Sequence, residues 1–229
     1  MSERVLPEPD LFAVCPLDGP ILPFYEGVFE AAYVLLSPFL RPRSPSVDLN
    51  EKTTAEELCR TCDPVHWSEV QRLLSFPSRA AIDVALRTNI RGLRPEFADK
   101  ALAARLNDGL HSHNLVHPEE GMFPELSLEP MLSFIQSLDQ QWVWVGDDLC
   151  TERKLHWIDD LKPATGKTQL RRGSVFTPDK SILWTVHWDS HLSLFCSTRE
   201  NVDRLSRHQG LEGFACGPAT EVYWGVWNA

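Results

Sequence analysis

The longest strand-like run in the chain is Ser181 to Ser197, SILWTVHWDSHLSLFCS. Trp184, Val186 and Trp188 alternate with Thr185, His187 and Asp189, which on a strand gives one apolar and one polar face. Leu192, Leu194 and Cys196 continue the alternation. A single strand of this length is rare, so the pattern predicts a hairpin turning at Trp188-Asp189-Ser190. Further β-rich, aromatic stretches surround it: Trp142 to Val145, Leu155 to Ile158, Ser174 to Phe176 and Val222 to Trp227. Thr177-Pro178-Asp179-Lys180 reads as a turn, so Ser174 to Phe176 and Ile182 to Val186 are expected to pair.

Before Gln141 the period is mostly helical. Tyr25 to Leu40 has Val28, Phe29, Ala32, Tyr33, Leu35, Leu36 and Phe39 at spacings that suit a buried helix stopped near Pro38. Thr53-Thr54-Ala55-Glu56 has the form of a capping box opening a helix through Cys62. Further helices are expected over Val65 to Phe76, from Pro77 through Ala85, over Pro95 to Leu110, and over Glu129 to Leu138 with Pro130 at its start. His111 to Pro124 reads as a loop. Ser197-Thr198-Arg199-Glu200 reads as a second capping box, opening a helix through His208. The prolines of Met1 to Pro23 forbid a helix and predict an extended arm lying on something else. The expected architecture is a single α+β domain over 1–229. Its helical part (about 24–138) would pack on one face of a mostly antiparallel sheet (about 141–229).

Composition narrows the function classes. The 229 residues are 43% hydrophobic and 24% charged, ordinary values for a globular chain. A net charge of -10 disfavours nucleic acid and anionic lipid as partners and suits a basic protein. Met1 to Phe12 lacks the apolar core of a secretion signal, and no run approaches the ~18 to 20 apolar residues of a membrane span. A cytoplasmic location is therefore expected, with the six cysteines as reduced thiols.

Two histidine clusters are candidates for metal or acid–base chemistry. His187, Asp189 and His191 share a face on a straight strand, at steps of about 6.6 Å. Adjacent members can share one metal ion, and a turn would bring His187 and His191 opposite each other. His111, His113 and His117, with Glu119 and Glu120 beside them, lie in one predicted loop. A His-rich metal site using His187, Asp189 and one or more of His111, His113 and His117 would form if that loop folded over the sheet end. The plainer reading is a hydrogen-bonded polar cluster and a solvated loop. Cys59-Arg60-Thr61-Cys62 is a lone C-x-x-C with no second pair, so it reads as structural. Ala164 to Thr168 ends like a phosphate loop, but Leu161 stands where its first glycine belongs. No nucleophile motif is complete, and no cofactor is implied.

The acidic residues Asp147, Asp148, Glu152, Asp159 and Asp160, with Trp188 and Asp189, form the candidate partner-binding set. Trp142, Trp144 and Trp157 lie near several of them. Interface centres favour Trp, and acidic rims speed association with basic partners. The competing reading places these tryptophans in the core.

The segments TVHWDSHLSLFCS and EGFACGPATEVYW, within Phe176 to Trp227, resemble small bacterial cytoplasmic proteins of the toxin-immunity type. That resemblance implies a stoichiometric inhibitor that blocks a cognate toxin, often a basic nuclease, by steric and electrostatic contact. The alternative expectation is a metal-dependent hydrolase built on the His/Asp cluster.

Overall fold

The computed structural model of the chain describes residues 10–45, 47, 49 and 53–222. Among the described residues, seven strands form one sheet in the order β5-β4-β6-β7-β8-β1-β9. They are β1 (Ala31–Leu36), β4 (Trp142–Gly146), β5 (Arg153–Trp157), β6 (Ser174–Phe176), β7 (Leu183–Val186), β8 (Leu192–Ser197) and β9 (Gly213–Ala215). Every pairing is antiparallel. A separate ribbon joins β2 (Phe39–Pro42) to β3 (Cys62–Val65).

The hairpin expected at Trp188-Asp189-Ser190 is present: β7 and β8 pair from Leu183↔Cys196 to Val186↔Ser193. The β6–β7 hairpin is present as well. The alternation of apolar and polar residues does not mark a wet face, because every residue of β7 and β8 is buried. The polar side chains pair with one another. Ser174 and Thr185 are opposed across β6 and β7 with hydroxyls 2.8 Å apart, and Trp184 Nε1 donates to Ser193 Oγ at 2.9 Å. A buried hydroxyl or indole N–H without such a partner would be costly.

Both faces of the sheet are covered. On one, Leu183, Leu194, Cys196 and Val34 pack on helices α3 (Trp67–Leu73), α4 (Arg79–Ile90) and α5 (Lys100–Ser112). On the other, Trp184, Val186, Phe195 and Tyr33 pack on α6 (Glu125–Gln136) and α7 (Arg199–Leu205). Each large side chain so enclosed contributes roughly 1.5–3 kcal/mol.

This corrects the expected division into a helical first half on one face of a later sheet. Tyr25 to Leu40 is not a helix. Its middle is β1, which lies between β8 and β9, followed by β2. Ala31–Leu36 carries no charge and is buried on both faces, so its apolar run has no period to separate strand from buried helix. Only Ile21–Phe24 is helical in this region, as α1.

The other helices stand close to their expected places. The capping box before α2 (Ala55–Thr61) uses Thr54 and Glu57, one residue later than the pattern suggested. Helix α6 begins at Glu125, and Pro130 lies inside it rather than at its start. Helix α7 is capped by Thr198, whose hydroxyl accepts the Asn201 N–H at 3.2 Å. The arm does lie along the molecule: Phe12 meets Phe176 edge-on at 5.7 Å, and Pro20 bridges Glu221. Residues 1–9 of the arm, and most of the strand expected at Val222 to Trp227, fall outside the described residues. Among the described residues no helix is long and apolar enough to cross a membrane.

Candidate functional site

The polar residues of the β7–β8 turn sit at one end of the sheet, and the loop before α6 folds over them. The Gly121 N–H donates to the Ser190 carbonyl at 2.9 Å, and the Ser190 hydroxyl donates to the His187 carbonyl at 3.2 Å. His187 is fully buried. Its Nδ1 accepts the Asp189 backbone N–H at 3.2 Å, so Nε2 carries the proton and donates to the Leu17 carbonyl at 3.0 Å. Burial lowers its pKa, the bond to Leu17 opposes that shift, and the Arg87 guanidinium adds to it.

His191 is 2% exposed and meets the His117 ring edge-on at 6.4 Å. Burial, then His117 and Arg87, lower its pKa to about 3. It is therefore a neutral imidazole near pH 7, and its Nδ1 has no hydrogen-bond partner among the described residues. Arg87, also fully buried, enters from α4. It donates to the carbonyls of Val222 at 3.2 Å and Gly92 at 3.3 Å and lies 3.7 Å from Asp83. A buried guanidinium with two carbonyl acceptors and a carboxylate is a stable arrangement, and it supplies a fixed positive field behind both histidines.

Asp189 lies against Gly92 and hydrogen-bonds the Glu120 carboxyl. Burial, followed by Asp189, raises the Glu120 pKa, and Arg172 opposes.

The loop thus meets the sheet end, the event on which the sequence was silent, but with only one of its three histidines. His117 arrives. His111 and His113 stay exposed at the end of α5, where His113 Nδ1 lies 2.9 Å from the Gly109 carbonyl. Among the described residues no group of three or more His, Cys, Asp or Glu is arranged to hold a metal ion. Arg87 and Gly92 were missed, and Glu120 was noted only as a neighbour of the loop histidines. Arg87 had one faint signal, its i,i+4 spacing from Asp83 on the apolar side of α4.

The acidic set divides between the two ends of the sheet. Register places the β4–β5 turn beside the β7–β8 turn, because Gly146 pairs with Ser174 and Ser174 with Thr185. Asp147, Asp148, Glu152, Trp188 and Asp189 therefore share one end, and Asp159 and Asp160 lie at the far end of β5. Several acids are committed locally. Asp147 closes its own turn, accepting from the N–H groups of Leu149, Thr151 and Glu152. Asp159 accepts from Gln136 and from Trp157 Nε1, each at 3.0 Å, and lies 3.2 Å from Lys162. Asp160 pairs with Lys167 at 2.7 Å. Asp148 and Glu152 are exposed.

The tryptophans divide too. Trp184 and Trp67 are core, while Trp188 is 53% exposed. Trp142 and Trp157, opposed across β4 and β5, are 45% and 36% exposed, with ring centroids 5.0 Å apart at 84°. Leu155, 40% exposed, lies beside them on the same face.

Fold and site together define an α+β protein with an all-antiparallel seven-stranded sheet, a loop-covered polar hairpin tip and an aromatic open edge. Residues 18–226 match the family described as Protein of unknown function (DUF2711), and the chain belongs to that family. It is 21% identical over 215 residues to "Uncharacterized protein YwbB" of Bacillus subtilis (strain 168), covering 90% of this chain and 95% of that one. No solved structure matches the chain.

Proposed function

We propose that the chain is a protein-binding protein that engages its partner through the β4–β5 edge, and that the partner is a basic protein of the toxin class. The observation that carries this reading is the exposed Trp142–Trp157 pair, with Leu155 beside it, on a strand that forms the end of the sheet. An open edge offers backbone donors and acceptors to an incoming strand. Two tryptophans beside it supply rigid anchors of the kind that dominate binding energy. Asp148 and Glu152 at one end of β5, and Asp159 and Asp160 at the other, give an acidic rim within a chain of net charge -10. Such a rim accelerates encounter with a basic surface. The six free thiols suit a reducing compartment such as the cytoplasm.

Inhibition would be steric and electrostatic, with no chemistry on the partner. The metal-dependent hydrolase has no comparable support. Both ring nitrogens of His187 are spent on the backbone, and His111 and His113 stand apart from it.

The test is a photo-crosslinking residue at position 155 in the native cell, with mass spectrometry of the adducts. One dominant basic protein is expected, and the adduct should vanish in Trp142→Ala/Trp157→Ala. Truncating one central anchor should weaken the complex by about 2 kcal/mol or more. Co-expression with the captured protein should restore growth if it is toxic, and the double variant should not protect. A set of adducts unchanged by the double substitution sinks the proposal.

A further inference from the structure

The β2–β3 ribbon, helix α2 and the start of α6 enclose a cavity of about 370 Å³, separate from both faces of the sheet. Its walls are Leu40, Leu58, Val116 and Leu126, the residues of a small third apolar cluster. This size lies in the range of small-molecule sites. Pro118 and Pro124 frame the opening with little backbone freedom.

The polar lining is one-sided. Among the described residues Glu119, Glu125, His117 and Thr53 contribute to it, and no lysine or arginine does. His117 Nδ1 lies 2.9 Å from the Pro118 carbonyl, so Nδ1 carries a proton and donates to it. Glu125 is the first residue of α6. Burial raises its pKa, its own backbone N–H opposes that, Glu119 adds to the rise and Arg171 reduces it. Arg171 reaches Glu119 at 3.6 Å, in a pair about half exposed on both sides, and does not line the cavity. The cavity thus joins an apolar body to a lining that carries two carboxyls and an imidazole. A neutral apolar ligand would leave the Glu125 carboxyl desolvated without compensation. An anion would meet two like charges.

We infer that this cavity binds a small organic cation, a protonated primary amine on an apolar body. The ammonium would lie between Glu125 and Glu119, and the body against Leu40, Leu58 and Val116. The binding is independent of the partner edge, which lies on β5. An arriving ammonium favours the ionised form of Glu125, so affinity rises with pH until Glu125 is fully deprotonated. It falls again only as the amine itself loses its proton, near pH ~10.

The experiment is isothermal titration calorimetry of the full chain with hexylamine, hexanol and hexanoate at pH 7. Hexylamine should bind at least about tenfold tighter than hexanol, a difference of ~1.4 kcal/mol, and hexanoate should bind weakest. In Glu125→Gln the preference for amine over alcohol should disappear. In Leu126→Trp, which fills the cavity, both probes should lose binding, and thermal unfolding checks that each variant is folded. Trp142→Ala/Trp157→Ala should bind hexylamine as the wild type does, so failure here and failure of the partner edge are distinguishable. Equal binding of alcohol and amine by the wild type, amine binding that survives Leu126→Trp, or no binding of any probe overturns the inference. If Glu125→Gln does not fold, the wild-type amine-to-alcohol ratio and Leu126→Trp decide.

Discussion

Gly121→Ala tests whether the loop before α6 is locked to the hairpin tip. Gly121 has φ 62°, and a Cβ there would stand 2.5 Å from the Trp188 carbonyl oxygen, a backbone atom that cannot swing away. Three costs follow. The left-handed conformation costs a non-glycine residue about 1–2 kcal/mol. Relieving the overlap means moving one backbone segment from the other, and that breaks the Gly121–Ser190 bond of 2.9 Å. Losing that bond costs ~1 kcal/mol, more if the Ser190 carbonyl stays dry. The sum is about 3 kcal/mol.

Gly27→Ala separates these terms. Gly27 has φ 77° with nothing within 4 Å of its would-be Cβ, so it carries the conformational cost alone, about 1 kcal/mol. Urea unfolding of both variants, followed by tryptophan fluorescence and compared at equal m-value, reads the difference directly. At roughly 2–4 °C per kcal/mol for a chain of this size, Gly121→Ala should melt about 6–12 °C below wild type. Equal destabilisation in the two variants would refute the close approach as the cause.

The remaining predictions concern protonation, packing and thiol access. His191 has a folded pKa of about 3 against 6.5 when free, so the unfolded chain takes up its proton first as the pH falls. Stability is full above pH 6.5 and is lost towards pH 3, with a slope that approaches ~1.4 kcal/mol per pH unit for this one group. His187 is shifted the same way. Glu120, raised from 4.5, acts in the opposite sense: its contribution is present below its unfolded value and is lost as pH rises through the folded one. Denaturant melts at several pH values should show the histidine limb flatten in His191→Met, and an unchanged slope would contradict it. Trp184→Phe loses the Ser193 hydrogen bond and reshapes the contact with Phe123 at 4.4 Å, so a loss of about 2 kcal/mol is expected in the same melts. All six thiols have raised pKa values, with burial the first cause in each. Ellman's reagent at pH 8 should therefore label the native chain slowly and the urea-unfolded chain at all six positions.

Local chemistry was the legible part of the fold. The β7–β8 turn, the β6–β7 turn and the starts of α2 and α7 stand where turn and cap residues put them, to within a residue. Those signals depend on neighbours in sequence, which a single chain displays. The error at Tyr25 to Leu40 has the opposite origin. Ala31–Leu36 is enclosed between β8 and β9 and between two helical layers, so nothing in its own composition records a preferred face. The partners that make it a strand lie some 160 residues later, at Leu192 to Ser197. The same enclosure hid the covering of both faces, since alternating Thr185 and Ser193 look solvent-facing until Ser174 and Trp184 are placed beside them.

The candidate site was legible only as composition. The His187–His191 cluster was visible, but its chemistry turned on which groups met it. Metal binding required lone pairs left over for an ion, and His187 has none, because a backbone N–H and a backbone carbonyl occupy both ring nitrogens. What converged on the tip instead was one arginine from α4 and one glutamate from the loop. Burial is the first cause that lowers both histidine pKa values, with Arg87 adding to it, and burial followed by Asp189 raises that of Glu120. The tip is therefore a packed structural lock. Its strongly exposed aromatic is Trp188, whose backbone carbonyl lies against Gly121. In the proposed reading, recognition falls to surfaces that the lock leaves open. The β5 edge is the broader of these, with two tryptophans packed edge to face in place of one. If Gly121→Ala loosens the tip while partner capture at position 155 is unchanged, lock and recognition edge are separate devices. If capture falls with it, the tip is part of the binding surface.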